Sequence, residues 1–145
     1  MTNKIELKFK HQQFQIDAST AVCDIFAGQP KSHPTRYILD PGKDVVGVQP
    51  SFEQEAFANA PLIIPTAQIW DNIHKKQVAL GLKPSGRSGD DINLTIEMET
   101  GTGKTYAYIK TIYELNERYG WTKFIIVVPS VAIREGVKKS FENTR

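Results

Sequence analysis

The chain has 145 residues, of which 40% are hydrophobic and 23% are charged, and its formal net charge is +2. This is the size and composition of one globular domain with a buried core, so a chain that is disordered throughout is excluded. A net charge this small does not by itself indicate nucleic-acid binding, because such proteins usually concentrate Lys and Arg on one face.

Neither a membrane span nor a secretory signal is predicted. No apolar run approaches the ~20 residues that cross a bilayer, and residues 1–6 lack the apolar core of a signal peptide. We therefore expect a cytoplasmic protein with no membrane partner. Cys23 is the single cysteine, and with His11, His33 and His74 it provides neither a disulfide nor a zinc-binding spacing. We expect Cys23 to lie in a helix and the histidines at the surface.

Residues 1–27 are predicted to form an N-terminal arm followed by a helix. Apolar residues alternate with charged ones at 5–9, which suggests a short, half-buried strand. Apolar residues then recur at helical spacing at 11–27, and Gly28 follows as a natural end of the helix.

Residues 28–92 are predicted to form an irregular insertion or linker with one helix. The part at 28–65 is dense in Pro and Gly and has little sustained periodicity. A helix is predicted from Thr66, whose hydroxyl can cap it, to Gly81. The polar stretch at 84–91 has the composition of a linker.

Residues 93–145 are predicted to alternate strands with helices. Alternating apolar residues at 94–98 predict a strand, and a continuous apolar run at 124–128 predicts a parallel strand covered on both faces. Helices are predicted from Thr105 to Tyr119 and after Ser130. The fold class expected is α/β, with parallel strands preceded by an N-terminal helical segment and with the ligand at the carboxyl ends of the strands.

The segment at 98–105 reads Met-Glu-Thr-Gly-Thr-Gly-Lys-Thr and is predicted to be a phosphate-binding loop. Its backbone amides and the following helix form an anion cradle, and the residues expected to bind nucleotide are Thr100, Gly101, Thr102, Gly103, Lys104 and Thr105. Lys104 would reach the β- and γ-phosphates, and the Thr105 hydroxyl would bind Mg²⁺. The general pattern has Gly where this chain has Met98, which indicates a subtype. The alternative is a Gly-rich turn that matches by chance.

Two segments around this loop resemble a known family. The stretch Glu97–Tyr106 resembles motif I of superfamily 2 helicase-like translocases, especially that of the Res subunit of type III restriction enzymes, and Lys123–Val137 resembles motif Ia of the same subunits. The resemblance implies that residues 93–145 are the truncated first part of a RecA-like P-loop ATPase domain. It also implies an N-terminal fragment of an ATP-dependent translocase and endonuclease, which acts on double-stranded DNA with a methyltransferase (Mod) subunit.

A third segment, Phe14–Ala18, is similar to the Gln-x-x-Ala segment whose glutamine reads adenine in such ATPases. A carboxamide suits this role because it donates and accepts hydrogen bonds at once. We favour Gln15, but Gln12 and Gln13 are close enough to leave the register open. The alternative is that all three are exposed polar residues of a helix.

The same resemblance implies that Pro129 and Ser130 contact the DNA backbone. Amides and a hydroxyl at a helix N-terminus can hold a phosphate without reading its base, as movement along arbitrary sequence requires. The alternative is a plain strand-to-helix turn in which Ser130 caps the helix.

Catalytic residues are only partly present. Lys104 and Thr105 are the catalytic candidates, and the Asp-Glu pair that such a translocase needs is not found after 124–128. Asp90 and Asp91 precede the loop and are poor substitutes, and Glu97-Met98-Glu99 lacks the lysine of a PD-ExK nuclease.

We therefore expect the isolated chain to bind nucleotide weakly and to be inactive in turnover. Three other classes remain open: a different superfamily 2 member such as a type I restriction motor or a repair helicase, a nucleotide-binding module, and a small-molecule kinase. The last would need an arginine-rich lid, and no such segment follows the loop.

Overall fold

The computed structural model describes residues 12–33, 35–38, 55–87 and 92–143. These contain four helices and two short strands. The helices are α1 (Gln13–Asp24), α2 (Thr66–Ala79), α3 (Lys104–Tyr119) and α4 (Val131–Asn143), and the strands are β1 (Thr35–Ile38) and β2 (Glu55–Ala58). The strand predicted at 5–9 and the end of the polar linker at 88–91 lie outside the described residues.

All four helices occur where the sequence predicts them, within a few residues at their ends. The first is shorter than predicted, because after Asp24 the chain tightens into a turn in which the Phe26 amide donates to the Cys23 carbonyl at 3.1 Å. The helix α3 ends at Tyr119, as predicted, and begins at Lys104, one residue before the predicted start at Thr105. None of the helices in the described part of the chain has both the length and the apolar character needed to cross a membrane.

The predicted fold class is wrong. The two segments predicted as parallel strands, 94–98 and 124–128, carry no regular secondary structure, and the strand pairing in the described residues is an antiparallel ribbon of β1 and β2. In that ribbon Thr35 lies opposite Ala58 and Ile38 opposite Glu55. The prediction failed because an apolar run expresses a preference for burial, whereas a strand also needs a neighbour to pair with. Here Ile125 and Val127 are 94% and 87% exposed.

The core of the described residues consists of two apolar clusters that meet at Phe26. The first joins α1 to α3 and to the segment after it, and it contains Cys23, Leu115, Tyr119 and Trp121. The second joins α1 to α2 and contains Ile25, Ile69, Trp70 and Ile73. The Phe26 ring packs against both clusters and meets the Trp121 ring edge to face, with centroids 5.0 Å apart. The structure is therefore a helical assembly organised around the α1–α3 contact.

The Pro- and Gly-rich segment at 28–65, predicted as irregular, contains the β1–β2 ribbon, and side-chain amides join its two ends to each other and to the segment after α3. The buried Gln29 donates to the Pro61 carbonyl and accepts from the Ile63 amide, each at 3.0 Å. Asn59 donates to the Lys123 carbonyl at 2.7 Å and accepts from two backbone amides, those of Thr122 and Lys123, at 2.9 Å. These carboxamides replace backbone pairing where the chain has no regular structure.

Candidate nucleotide-binding site

The predicted phosphate loop is a tight turn that leads directly into α3. Gly101 and Gly103 have φ angles of +81° and +85°, a left-handed conformation that glycine adopts without steric cost. Gly103 is the residue before the helix, and Lys104 and Thr105 are its first two residues. The lysine is exposed and the threonine is half-buried. The turn and the positions of Lys104 and Thr105 are therefore those that the sequence predicted.

The amino end of α3 is chemically open to an anion. Among the described residues no side chain caps this helix, and its first turn contains no acidic residue. The first intrahelical bond runs from the Ala107 amide to the Gly103 carbonyl at 3.0 Å. The amides of the first turn and the positive end of the helix dipole are thus directed toward the space at the loop, where they favour negative charge.

Three donors of the loop converge on the backbone carbonyl of Glu99. The Lys104 ammonium group donates to it at 2.8 Å, the Thr102 hydroxyl at 2.6 Å and the Thr102 amide at 3.4 Å. A phosphate oxygen is an acceptor of the same kind with more charge, so these donors can exchange the carbonyl for a phosphate. The sequence did not indicate Glu99 as a contact, because a backbone carbonyl is directed by local φ and ψ and not by the residue type.

Of the three glutamines considered at the start of α1, Gln15 is the one whose side chain contacts the loop. Its Nε2 donates to the Thr102 carbonyl at 2.8 Å. Gln13 instead donates to Asp17 at 2.8 Å on the exposed side of the helix, and Gln12 is an exposed residue just before the helix. The structure thus brings Gln15 to the loop, and which glutamine reads adenine stays a prediction.

A cleft of about 820 Å³ lies between α1, the end of α2 and the segment before the loop. Its lining includes Phe14 and Ala18 from α1, Leu80 and Leu82 after α2, and residues 95–99. Thr102 also lines it, so the cleft and the loop share a boundary. The Phe14 ring is 47% exposed. The sequence did not predict this cleft, because its walls come from separate segments that meet only in the fold.

Behind the loop, α1 and α3 are joined by a buried polar contact. The Ser19 hydroxyl is fully buried, and its single hydrogen has two acceptors within reach, the Ile16 carbonyl at 2.9 Å and the Glu114 carboxylate at 3.1 Å. Partial burial raises the pKa of Glu114, but hydrogen bonds from Lys110 and Ser19 outweigh this effect and hold the pKa below its ordinary value. The Glu114 carboxylate therefore contacts Lys110 and Arg118 on its own helix and joins α3 to α1 through Ser19.

The second predicted contact surface lies at the start of α4. Pro129 and Ser130 are both exposed. The Ser130 Oγ accepts from the Ile133 amide at 3.3 Å and its carbonyl accepts from the Arg134 amide at 3.0 Å, so Ser130 caps α4. This is the capping role considered as the alternative, and it leaves the hydroxyl hydrogen free to donate. DNA contact by Pro129 and Ser130 stays a prediction.

Cysteine and histidine residues do not form a metal site in the part of the chain that is described. No group of three or more His, Cys, Asp or Glu side chains is placed to hold an ion there. Cys23 lies in α1, as predicted, and is fully buried. His33 is exposed, whereas His74 is half-buried with its Nε2 2.8 Å from the Ser85 carbonyl. His11 lies outside the described residues.

The chain is similar to proteins of one family. A family model described as "Type III restriction enzyme, res subunit" matches residues 52–145. The Res subunit of the type III restriction-modification enzyme EcoP15I from Escherichia coli is 43% identical over 84 residues, which cover 54% of this chain and 8% of that protein. The EcoPI Res subunit of Escherichia phage P1 is 41% identical over 80 residues, again 54% of this chain and 8% of the relative.

A third relative, the StyLTI Res subunit of Salmonella typhimurium, is 52% identical over 52 residues, which cover 36% of this chain and 5% of that protein. The matched stretches thus span less than a tenth of the length of each of these relatives.

Proposed function

This chain belongs to the family of type III restriction enzyme Res subunits, and on this premise we propose that its loop at 98–105 binds the triphosphate of ATP. The observation that supports the proposal best is the geometry of the loop. Two left-handed glycines lead into the uncapped amino end of α3, and Lys104 and Thr102 already donate to an acceptor within the loop. This arrangement favours a ligand that has oxygen acceptors and concentrated negative charge and that fits into the narrow space at the loop.

Each loop residue has a proposed role. Gly101 and Gly103 supply the turn, the amides of Thr100 and Thr102 contribute donors, and Lys104 leaves Glu99 to contact the β- and γ-phosphates. Thr105, in the first turn of α3, would hold Mg²⁺ through its hydroxyl oxygen, which is the hard donor that this ion prefers. When bound, the ion would supply charge neutralisation at the triphosphate oxygens.

The base is proposed to lie on the side of the loop where Gln15 and the cleft begin. Gln15 has two N–H groups, and one of them is used by the Thr102 carbonyl. The remaining N–H and the Oε1 atom form the donor–acceptor pair that complements an adenine edge. The exposed Phe14 ring at the cleft could stack on a base.

The activity proposed for the whole protein is that of an ATP-dependent DNA translocase and endonuclease. The support is family membership and the relatives, whose names describe Res subunits of type III restriction-modification enzymes. In this proposal Pro129 and Ser130 contact the DNA backbone, a methyltransferase subunit is the partner, and the protein acts in the cytoplasm.

The proposal for ATP is tested by binding. Lys104→Ala removes the charge at the loop, and we expect the affinity of the chain for Mg-ATP, measured by isothermal titration calorimetry, to fall at least tenfold. The matched control is Lys75→Ala, an exposed lysine of α2 that is far from the loop in sequence. Equal affinities in the two variants would reject the loop as the triphosphate site.

In the whole protein, Lys104→Ala should abolish ATP-dependent DNA cleavage. Cleavage at the normal rate would reject a role for Lys104 in that activity.

A second candidate, binding without turnover, is favoured for the isolated chain. The sequence contains no Asp after Asp91, so no Asp-Glu pair follows the loop, and Glu114 is engaged with Lys110, Arg118 and Ser19. Without a group to orient the attacking water, hydrolysis should be slow. The test is a phosphate-release assay with DNA present, in which turnover that Lys104→Ala removes would overturn this candidate.

A further inference from the structure

We propose that Gln15 is a positioning residue of the phosphate loop, which it orients by donating a hydrogen bond to the Thr102 carbonyl. This inference rests on the proposed function of the loop and gives Gln15 a role besides contact with a base. The contact joins residues 87 positions apart, with 2.8 Å between Nε2 and the carbonyl oxygen, at a partly buried place.

Thr102 is the point of the loop at which such a bond has most effect. It lies between Gly101 and Gly103, both with left-handed φ angles, where the backbone has the fewest steric restraints. A trans peptide directs its N–H opposite to its C=O. By drawing the Thr102 carbonyl toward α1, Gln15 therefore directs the Gly103 amide away from α1. The orientation of one donor of the cradle is thus set by a side chain outside the loop.

The Gln15 bond differs from the bonds to the Glu99 carbonyl because the donor is a side chain outside the loop and the loop supplies the acceptor. The bonds to the Glu99 carbonyl use the donors Lys104 Nζ and Thr102 Oγ1, which a phosphate oxygen can accept instead. The Thr102 carbonyl is itself an acceptor, and so is a phosphate, so the two cannot pair. The Gln15 contact can persist when the Glu99 contacts are exchanged for phosphate.

Gln15 is held in place by the packing of α1 on α3. Gln15, Ser19 and Cys23 follow one another at intervals of four residues and therefore lie along one stripe of α1. Each of them contacts the loop or α3. Gln15 contacts the loop, Ser19 lies 3.1 Å from Glu114 of α3, and the Cys23 carbonyl accepts from the Tyr119 hydroxyl of α3 at 2.8 Å. A shift of α1 along α3 would break all three contacts, so the Gln15 amide is fixed relative to the loop.

Gly103 shows how closely α1 approaches the phosphate loop. A Cβ atom at this position would lie 2.5 Å from the Gln15 Nε2, which is closer than real Cβ contacts. With the Gln15 side chain in this conformation there is no room for a Cβ atom at residue 103. The contact between α1 and the loop is thus close-packed and not a surface approach.

The test compares Gln15→Met with Gln68→Met. Methionine matches glutamine in length and helix propensity but has no donor. Gln68 is a suitable control because it is also a helical glutamine whose Nε2 donates to a backbone carbonyl, that of Ala27 at 3.2 Å, on α2. The affinity of each variant is measured for Mg-ATP, Mg-GTP and Mg-tripolyphosphate, the last of which has no base.

We expect Gln15→Met to weaken the binding of Mg-GTP and Mg-tripolyphosphate by a similar factor, about fivefold, which is the size of effect that one hydrogen bond produces. The binding of Mg-ATP should weaken by at least this factor, because the proposed contact with adenine is lost as well. Gln68→Met should leave all three affinities unchanged. A loss for ATP alone, with tripolyphosphate unaffected, would show that Gln15 reads the base and would overturn the positioning role.

A ligand-free measurement separates this inference from the proposed function. In hydrogen exchange, Gln15→Met should speed exchange of amides 101–105 relative to Gln68→Met, while the rest of α1 and α3 exchanges as before. Equal rates in the loop, or a uniform acceleration throughout both helices, would overturn the positioning role. Failure of the unsubstituted chain to bind any of the three ligands would instead overturn the proposed function.

Discussion

Asp24 and Arg118 face each other across the contact between α1 and α3, with the carboxylate Oδ1 2.8 Å from the guanidinium Nη1. The other oxygen of Asp24 lies 2.6 Å from the Lys76 ammonium group of α2. Arg118 also reaches Glu114 at 3.4 Å on its own helix. One carboxylate therefore joins three helices, on the side of the assembly away from the phosphate loop.

The strength of this pair is predicted to be modest. The side chains of Asp24 and Arg118 are 37% and 38% exposed, so water and salt screen the attraction, and we expect a coupling of about 0.5–1 kcal/mol. The measurement is a double-mutant cycle of Asp24→Asn and Arg118→Gln by urea unfolding. The control cycle uses Arg134 and Glu135, neighbours on α4 at 3.0 Å that are 66% and 57% exposed, and should give a coupling near zero. Equal couplings in the two cycles would contradict the bridging role of Asp24.

Stability is predicted to fall in acid because of Asp24 and Glu114. For each carboxylate, partial burial raises the pKa, but hydrogen bonds from basic partners outweigh it and the folded pKa lies below the ordinary value. The charged forms therefore contribute stability above the ordinary values of 3.8 and 4.5, and this contribution is lost as the pH falls through the lower folded values. The free energy of unfolding, measured from pH 7 to pH 3, should decline in the acid part of this range.

The variants Asp24→Asn and Glu114→Gln should be less stable at pH 7 and should show a flatter decline in acid. Glu117→Gln, an exposed residue of the same helix as Glu114, serves as the control and should follow the unsubstituted chain. If all four curves have the same slope, the two carboxylates are not the source of the acid sensitivity.

Three glycine-to-alanine substitutions separate backbone strain from crowding. Gly101→Ala meets nothing within 4 Å but requires a φ of +81°, which should cost about 1 kcal/mol of stability. Gly103→Ala has a φ of +85° and a contact of 2.5 Å with Gln15, so its cost should be larger, about 2 kcal/mol. Gly136→Ala lies in α4 with open space around it and should stabilise the chain by about 0.5–1 kcal/mol.

Adding Gln15→Ala to Gly103→Ala should recover the part of the cost that comes from crowding. Urea unfolding measures each variant. If Gly103→Ala costs as much stability as Gly101→Ala, and if Gln15→Ala does not change that cost, then the loop can move away from α1.

The helices could be predicted from the sequence because their signals are local. Thr66 at the start of α2, Gly120 after α3 and Ser130 before α4 mark boundaries within a residue of where the structure has them. The prediction that the Thr66 hydroxyl caps α2 is wrong, because Thr66 is the first helical residue and no side chain caps this helix in the described part of the chain. Capping and the 3.6-residue period depend on neighbours in the chain, so one sequence is enough to find them. Parallel strands cannot be predicted from such local signals, because strand pairing is decided by distant segments. In the predicted strand at 94–98, Leu94 and Ile96 are 44% and 47% exposed.

The place of the loop before α3 could be predicted from the sequence, but its contacts could not. Lys104 and Thr105 begin α3 as the motif requires. The contact of Gln15 with Thr102 spans 87 positions, and only the family resemblance suggested that Gln15 belongs near the loop. Nothing in the sequence indicated that the Glu99 carbonyl would accept these hydrogen bonds, because every residue has a carbonyl and the fold alone decides which one accepts.

The segment at 124–128 is predicted to limit the solubility of this chain. Ile125 and Val127 are 94% and 87% exposed, and a β-branched apolar run with free surface favours association between chains. Ile125→Lys with Val127→Lys should raise the concentration at which light scattering begins and leave urea unfolding unchanged. Val78→Lys, which places one charge at a 62% exposed position of α2, should have a smaller effect. The same onset in all three proteins would place the association surface elsewhere.

The Cys23 thiol is predicted to be inert until the chain unfolds. It has no exposed surface, and burial, followed by the nearby Glu114 charge, raises its pKa from 9.0 to about 12. The thiolate is the reactive form, so at pH 8 alkylation by iodoacetamide should be about a thousandfold slower than in urea. Mass spectrometry follows the reaction, and an exposed thiol introduced by Lys75→Cys in a Cys23→Ser background sets the accessible rate. Alkylation of native Cys23 at that rate would mean that the α1–α3 core opens readily, and it would also undermine the fixed position of Gln15 beside the loop.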